Sequence, residues 1–152
     1  MFDYNLILID GTVDVDSDTA ASFVAATSTT RATATGAAVI DLAASGTPAS
    51  GLSVVLIIPA LTTSTDYLVA TVQASDVEAH TSDVHTLTTF DEASATSGRI
   101  LASECTTGLV VIRRFASNWR YVRAVITPTK GTGNGSFSTL KIYLTPYAFK
   151  VL

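Results

Sequence analysis

The chain has few cysteines and few basic residues. Its one cysteine, Cys105, excludes an intrachain disulfide and a metal site built on several cysteines. Nine lysines and arginines stand against thirteen aspartates and glutamates, which gives a formal net charge of −4. Because nucleic-acid-binding domains usually carry a basic excess, this balance argues against nucleic acid as a partner.

Long hydrophobic runs are also lacking. The longest, residues 52–61, is about half as long as a membrane-spanning helix requires. The apolar run LILI, residues 6–9, follows no basic residue and is too short for the core of a secretory signal. We therefore expect no membrane partner and assembly in a reducing cytoplasm, while a later extracellular location inside a released particle is left open.

The residues that are present favour β-structure. The chain has 152 residues, of which 47% are apolar, so residues 1–152 can bury the core of one domain without metals or disulfides. Threonine and valine favour sheets, whereas the helix formers lysine, glutamate, glutamine and methionine are scarce. Short apolar runs alternate with turn-rich stretches, which predicts an all-β sandwich or barrel. The eight or nine predicted strands come from residues 5–9, 37–42, 52–58, 67–75, 85–90, 98–104, 108–115, 119–127 and 137–145.

Turn signals separate these strands. The pair Asp10-Gly11 predicts a hairpin turn. Residues 116–118 and 131–136 are each predicted to join two strands that are consecutive in the sequence into a hairpin. Two further segments carry no strand pattern, namely residues 19–36, predicted to be irregular or extended, and residues 91–96, predicted to form at most one helical turn.

The stretch RRFASNWRYVR, residues 113–123, contains four of the nine basic residues and three aromatic residues. In the predicted strand 119–127, alternation points every second side chain outward, and arginines from the neighbouring strand complete an exposed patch. A patch of arginine and aromatic residues is typical of protein-contact anchors. The alternative is that the arginines lie at sheet edges and pair with nearby aspartates. The candidate contact residues are Arg113, Arg114, Trp119, Tyr121 and Arg123.

Two clusters contain residue types that bind metals. Asp14, Asp16 and Asp18 occupy alternate positions, as ligands of a calcium loop do. In an EF-hand loop that starts at Asp14, however, the sequence lacks the required glycine and glutamate. Only a loose surface Ca²⁺ site is left open. His80 and His85 lie in a polar stretch that we predict to be an exposed loop. We therefore expect no metal and no cofactor.

The sequence supports no enzymatic reaction. Its many serines include no Gly-x-Ser-x-Gly elbow. Cys105 follows Glu104, and a neighbouring carboxylate raises the pKa of a thiol, which is the wrong direction for a nucleophile. The glycine-rich residues 131–136 lack the Gly-Lys-Ser/Thr ending of a phosphate-binding loop and precede a predicted strand.

Several sequence segments along the chain resemble those of a known family. They are NLILIDGTVDV near the start, TGAAVIDLAASGTPASGL in the middle, VQAS at residues 72–75, RYVR at residues 120–123 and LTPYAFK at residues 144–150. Together they resemble the capsid cement, or decoration, proteins of short-tailed bacteriophages, of the Bordetella-phage type. The resemblance runs from about residue 5 to about residue 150.

This resemblance implies a jelly-roll-like antiparallel β-sandwich without enzymatic activity. It places the protein in the virion, on the exterior of an icosahedral head, where it bridges neighbouring subunits of the major capsid protein. It also implies a homo-oligomer, with a dimer across local two-fold axes favoured over a trimer. Extended N- and C-terminal segments can add strands to a neighbour. The candidate oligomer contacts are Phe2, Tyr4, Tyr147 and Phe149.

Two other functions fit the same residues. Trp119 and Tyr121 could stack against a sugar ring in a carbohydrate- or ligand-binding β-sandwich module. The arginine and aromatic residues could also bind single-stranded nucleic acid, which the acidic balance disfavours.

Overall fold

The structure is a computed structural model, and it describes residues 6–14, 36–43, 46–48, 51–61, 65–91, 98–132 and 136–146. Several sequence predictions fall outside these residues. They are the four candidate oligomer contacts (Phe2, Tyr4, Tyr147 and Phe149), the carboxylates of Asp16 and Asp18, and nearly all of the segments 19–36 and 91–96.

Within the described residues the chain forms ten strands and a short 3₁₀ helix, Ala102–Cys105. The strands are β1 (Ile7–Asp14), β2 (Gly36–Ala37), β3 (Val39–Asp41), β4 (Leu52–Ile58), β5 (Tyr67–Ser75), β6 (His85–Phe90), β7 (Ile100–Leu101), β8 (Leu109–Phe115), β9 (Tyr121–Thr129) and β10 (Ser136–Thr145). No described helix is long and apolar enough to cross a bilayer.

The strands form two antiparallel sheets. The first sheet has the order β2-β1-β10-β4-β8, and the second has the order β3-β9-β5-β6, with the short β7 also paired to β5. Apart from β2 and β7, each sheet has four strands, and every connection except β5 to β6 changes sheet. This is the double Greek-key order of a jelly roll. The predicted all-β, jelly-roll-like antiparallel sandwich is confirmed.

The core lies between the two sheets and follows the period of two that the sequence predicts. Along β5 the buried side chains are Leu68, Ala70, Val72 and Ala74, which alternate with half-buried residues. On the first sheet, Leu56 and Ile142 are fully buried and paired in register. The buried residues of both sheets form one continuous hydrophobic cluster. That cluster holds the sheets face to face because burial removes apolar surface from water.

The two lateral edges of the sandwich differ. At one edge a single segment serves both sheets, because β2 pairs with β1 in the first sheet and β3 pairs with β9 in the second. Between these two strands, the Ala38 amide donates to the carbonyl of Leu8 over 2.7 Å. At the other edge, β8 ends the first sheet and β6 ends the second, as far as the described strands extend.

Four local predictions are wrong. Asp10 and Gly11 do not form a hairpin turn but lie inside β1, where Gly11 is paired with Leu140 beside a β-bulge. The two hairpins predicted around residues 116–118 and 131–136 are absent from the pairings, because the strands that these residues connect belong to opposite sheets. β8 and β10 lie in the first sheet, and β9 lies in the second. The predicted strand 98–104 is reduced to β7 followed by the 3₁₀ helix, in which Glu104 caps the Leu101 amide over 3.0 Å.

Candidate interaction surface

The candidate residues of the stretch 113–123 lie on two different sheets. Arg113 and Arg114 belong to β8 of the first sheet, whereas Tyr121 and Arg123 belong to β9 of the second. Residues 116–120 cross between the sheets. The predicted single patch, with arginines arriving from a strand next to β9, is therefore wrong, because sequence neighbours here are not sheet neighbours.

Arg113 connects the two sheets at their β8–β6 edge. It alternates with the buried Val111 and Phe115, so its side chain starts on the inner face of β8. Its Nη2 donates to the carbonyl of Asp91 and lies 3.6 Å from Asp91 Oδ1, while Nη1 donates to the Ile112 carbonyl over 3.2 Å. The guanidinium thus bonds within its own chain.

Arg120 pairs with Asp41 at the opposite edge. Its Nε and Nη2 donate to the two carboxylate oxygens over 2.9 and 2.8 Å, a bidentate geometry. Hydrogen bonds from Arg120 and from the Ala43 amide hold the pKa of Asp41 below its ordinary value. The Arg120 guanidinium also lies 5.0 Å from the centre of the Tyr121 ring. Arg113 and Arg120 both have the arrangement that the alternative interpretation predicted, edge arginines paired with aspartates.

Arg123 is anchored on the outer face of the second sheet. It is directly paired with Gln73 of β5, and its Nε and Nη2 donate to Gln73 Oε1 over 3.1 and 2.9 Å. Partial burial lowers the pKa of Arg123 from its ordinary value. The Arg123 guanidinium is therefore hydrogen-bonded to a side chain of its own sheet.

The loop between β5 and β6 lies near this pair. Most of its residues from 76 to 84 are exposed, as predicted, but His80 is only 6% exposed. His80 has a backbone φ of 49° and a 2.9 Å contact from Nδ1 to the Glu78 carbonyl. Burial is the main cause that lowers the pKa of His80, and the charge of Arg123 adds to it. The described residues hold no group of three metal-binding side chains around either histidine.

Trp119 lies in the crossing segment, two residues before β9 begins, and not on an outward strand face. Its ring stacks on the His85 ring, with centroids 4.0 Å apart and an interplanar angle of 21°. The side chain is half-buried and packs against the core, and its amide donates to Ser117 Oγ over 3.0 Å. One face of the indole is therefore covered by the protein itself.

The outer side of β8 carries a strip that the sequence analysis missed. Val110, Ile112 and Arg114 alternate with the inward residues of the strand, and Val110 is 59% exposed. Ile57 of β4 is paired with Val110 and is half-buried beside it. The signal was the period of two in residues 109–115, which separates Arg114 from Arg113. We call Val110, Ile112 and Arg114 the β8 strip.

The surroundings of Cys105 do not activate its thiol. It is fully buried at the end of the 3₁₀ helix, and burial, with a smaller contribution from Glu104, raises the pKa of its thiol to about 11. Such a thiol stays protonated at neutral pH, which is the direction the sequence predicted, although burial outweighs the glutamate as its cause.

Comparison with known proteins adds nothing to these observations. No protein-family model, no curated protein and no solved structure matches the chain.

Proposed function

We propose that this protein is a bacteriophage capsid cement, or decoration, protein. It binds the exterior of an icosahedral head, bridges neighbouring subunits of the major capsid protein and has no enzymatic activity. The observation that carries the proposal is the resemblance over about residues 5–150, and the jelly-roll sandwich is the fold which that resemblance implies. One of the segments that carry it contributes residues 36–41, which form β2 and β3 and so belong to both sheets.

The β8 strip is the surface that fits a capsid partner best. It combines the exposed apolar Val110 and the half-buried Ile112 with Arg114, a residue that can grip a carboxylate bidentately. An apolar centre with an arginine beside it is common in protein interfaces. Arg113 and Arg123 also remain candidate contacts, and both donate hydrogen bonds to groups of their own chain. Their effect on shell binding must therefore be separated from their effect on stability.

Cosedimentation with undecorated shells tests the proposal. Wild-type protein should pellet with the shells and saturate at a fixed number of copies. Val110→Asp should lower occupancy at least about tenfold, because it places a charge at the most exposed apolar position of the strip. The matched control is Val84→Asp, which makes the same change at an exposed valine in the loop between β5 and β6.

A salt series tests the role of the arginine. Arg114→Ser should bind more weakly and lose part of the salt dependence, since an exposed ion pair is screened as salt rises. No pelleting of the wild-type protein with any shell would refute the function. Equal loss in Val84→Asp and Val110→Asp would reject the β8 strip alone.

The carbohydrate-binding alternative receives less support from the geometry. One face of Trp119 is stacked on His85, and the Tyr121 ring already lies beside the Arg120 guanidinium. A sugar site needs a free aromatic face with polar groups around it. Binding to a glycan array that Trp119→Phe retains and Trp119→Ala loses would favour this alternative over the capsid function.

A further inference from the structure

The loop between β5 and β6, residues 76–84, is held on the sandwich by one buried side chain. Every residue of this loop is exposed or half-buried except His80, which is 6% exposed. The other attachment is Ser75, the last residue of β5, whose Oγ donates to the Ser82 carbonyl and accepts from the Val77 amide, each over 2.9 Å. Removal of the imidazole from its site would therefore deprive the loop of its buried anchor.

The neutral His80 ring is incompletely hydrogen-bonded in this site. Its Nδ1 lies 2.9 Å from the Glu78 carbonyl oxygen, which can only accept a hydrogen bond, so Nδ1 carries the proton of the neutral ring. Nε2 is then an acceptor, and it is buried without a hydrogen-bond partner in the part of the chain that the structure describes. A buried polar atom without a partner costs free energy, so the closed loop is retained against this cost.

The protonated ring is less stable in this site than in water. Burial of the charge is the main cause that lowers the pKa of His80, and the guanidinium of Arg123 adds to it. The backbone carbonyls of Glu78, Gln73 and Tyr121 favour the charged ring but do not compensate for these two effects. A proton on His80 therefore favours a ring that has left the site.

The elements packed around the ring carry several other titratable or charged side chains. They are Asp76, Glu78 and Asp83 of the loop, Arg120 of the crossing segment, Tyr121 of β9 and His85 of β6. The Asp76 carboxylate accepts a 3.1 Å hydrogen bond from the Arg120 amide, and the Arg120 guanidinium pairs with Asp41. Arg123 is the residue whose charge shifts the pKa of His80.

The backbone of the loop also favours opening. His80 and Asp83 have φ values of 49° and 50°, a left-handed conformation that costs free energy in residues other than glycine. Both residues can leave this conformation when the loop opens. Opening therefore relieves part of the cost that burial of the neutral ring offsets in the closed loop.

Both ends of the loop contact the segment that crosses between the sheets, residues 116–120. At one end, Asp76 accepts the hydrogen bond from the Arg120 amide. At the other end, the loop leads into His85, whose ring stacks on Trp119 with centroids 4.0 Å apart. A change in the loop is therefore transmitted to Trp119, which is the one tryptophan of the chain.

We propose that the loop 76–84 is a proton-operated switch, in which protonation of His80 releases the ring from its site, opens the loop and loosens the stack of His85 on Trp119. The closed loop contains the neutral ring and is the state at neutral pH. In the open loop the ring takes up a proton with the ordinary affinity of a histidine, so opening begins below about pH 6.5. The change is local, because the core between the sheets does not involve the loop. It concerns the free protein and does not depend on the proposed capsid function.

Tryptophan fluorescence between pH 8 and pH 5 tests the switch in a protein from which the other histidine has been removed. His85→Phe keeps an aromatic ring against Trp119 and leaves His80 as the one histidine of the chain. Its emission should change sigmoidally with a midpoint below about pH 6.5, while its far-ultraviolet circular dichroism stays constant. The matched control, His80→Asn/His85→Phe, contains no histidine and should show at most about a fifth of that change. Asparagine is chosen because it tolerates the positive φ of residue 80.

Hydrogen exchange of the wild-type protein locates the opening. After correction for intrinsic exchange rates, protection in residues 76–84 and 116–120 should fall at least about fivefold from pH 7.5 to pH 5.5, with β4 and β10 unchanged. His80→Asn should show the same protection at both pH values. Constant emission in His85→Phe, or an equal emission change in the variant without histidines, would overturn the inference. An equal loss of protection in β4 and β10 would also overturn it, since the acid transition would then be global unfolding.

Discussion

Arg113 and Asp91 join the two sheets at the edge formed by β8 and β6. Arg113 Nη2 lies 3.6 Å from Asp91 Oδ1 and also donates to the Asp91 backbone carbonyl. The side chains are 32% and 48% exposed, so the ion pair itself is worth little in water. The hydrogen bonds to the two backbone carbonyls give the arginine most of its structural effect.

Replacing Arg113 should therefore destabilise the fold more than replacing its acidic partner. We expect Arg113→Ala to lower the free energy of unfolding by about 1–2 kcal/mol, because it removes charge-assisted hydrogen bonds to Asp91 and Ile112. Asp91→Asn keeps the backbone carbonyl and should cost less than about 0.5 kcal/mol. Arg114→Ala, on the exposed outer side of the same strand, is the matched control. Urea denaturation measures all three, and equal effects of Arg113→Ala and Arg114→Ala would contradict this account.

The buried Asp66 should be a second point of high sensitivity. Its side chain is fully buried, and Oδ1 accepts a 2.7 Å hydrogen bond from the Gly131 amide, which holds the end of β9 against the start of β5. Asp66→Ala should cost about 1–3 kcal/mol, because the amide loses its partner. Asp66→Asn retains the accepting oxygen and should cost less. Thermal melting of the two variants gives the comparison, and an alanine variant as stable as the asparagine variant would exclude the hydrogen bond as the cause.

Gly131, whose amide donates to Asp66, has no room for a side chain. A Cβ built on it would lie 2.5 Å from the Thr65 carbonyl oxygen. We expect Gly131→Ala to lower the free energy of unfolding by about 1–3 kcal/mol through this overlap. In a protein of this size that corresponds to a melting temperature lower by roughly 2–12 °C. A melting temperature unchanged within 1 °C would show that the loop moves aside without cost.

His80 should make stability depend on pH. Burial lowers its pKa in the folded protein below the ordinary value of 6.5, so the unfolded chain takes up the proton first as the pH falls. The contribution of His80 is fully present above about pH 6.5 and is lost progressively below it, by at most about 1.4 kcal/mol per pH unit. His80→Asn should flatten the stability profile between pH 7 and pH 5, and asparagine tolerates the positive φ of this position. Parallel profiles for the two proteins would assign the dependence to other groups.

Thr139 offers a stabilising change. It lies in the bulge of β10 with a φ of 56°, a conformation that a β-branched residue adopts at a cost of about 1–2 kcal/mol. Its side chain is exposed, and only its amide contacts Thr12 Oγ1, at 3.4 Å. Thr139→Gly should therefore raise the free energy of unfolding by up to about 1 kcal/mol, with Thr129→Gly, a strand threonine of ordinary φ, as the destabilised control. A melting temperature lower than that of the wild type would refute this expectation.

The sequence was informative wherever the signal is local. The alternation in β9 identified its outward face correctly from Tyr121 onward, because side-chain direction in a strand depends only on position along it. The bounds of β4, β5 and β6 agree with the prediction residue for residue. The general fold class followed from composition and from the number of turn signals.

Strand partners could not be predicted in the same way. The pairing of β1 with β10 brings together residues more than 120 positions apart and outweighs the turn preference of Asp10-Gly11. The partners of the arginines in residues 113–123 could not be predicted for the same reason. Arg120 binds Asp41 and Arg113 binds Asp91, and nothing in the local pattern specifies either partner. The stacking of Trp119 on His85 likewise depends on the sheet order and not on the local pattern.

The place of β10 in the first sheet bears on how the protein is synthesised. β10 follows every other described strand in the chain, yet it lies between β1 and β4 at the centre of the sheet. During synthesis on the ribosome, the edges of β1 and β4 that pair with β10 remain unpaired until residues 136–145 have emerged. Such long-range pairing folds slowly and exposes strand edges in the meantime. The native state is therefore reached after synthesis of this strand and in the presence of other newly made copies.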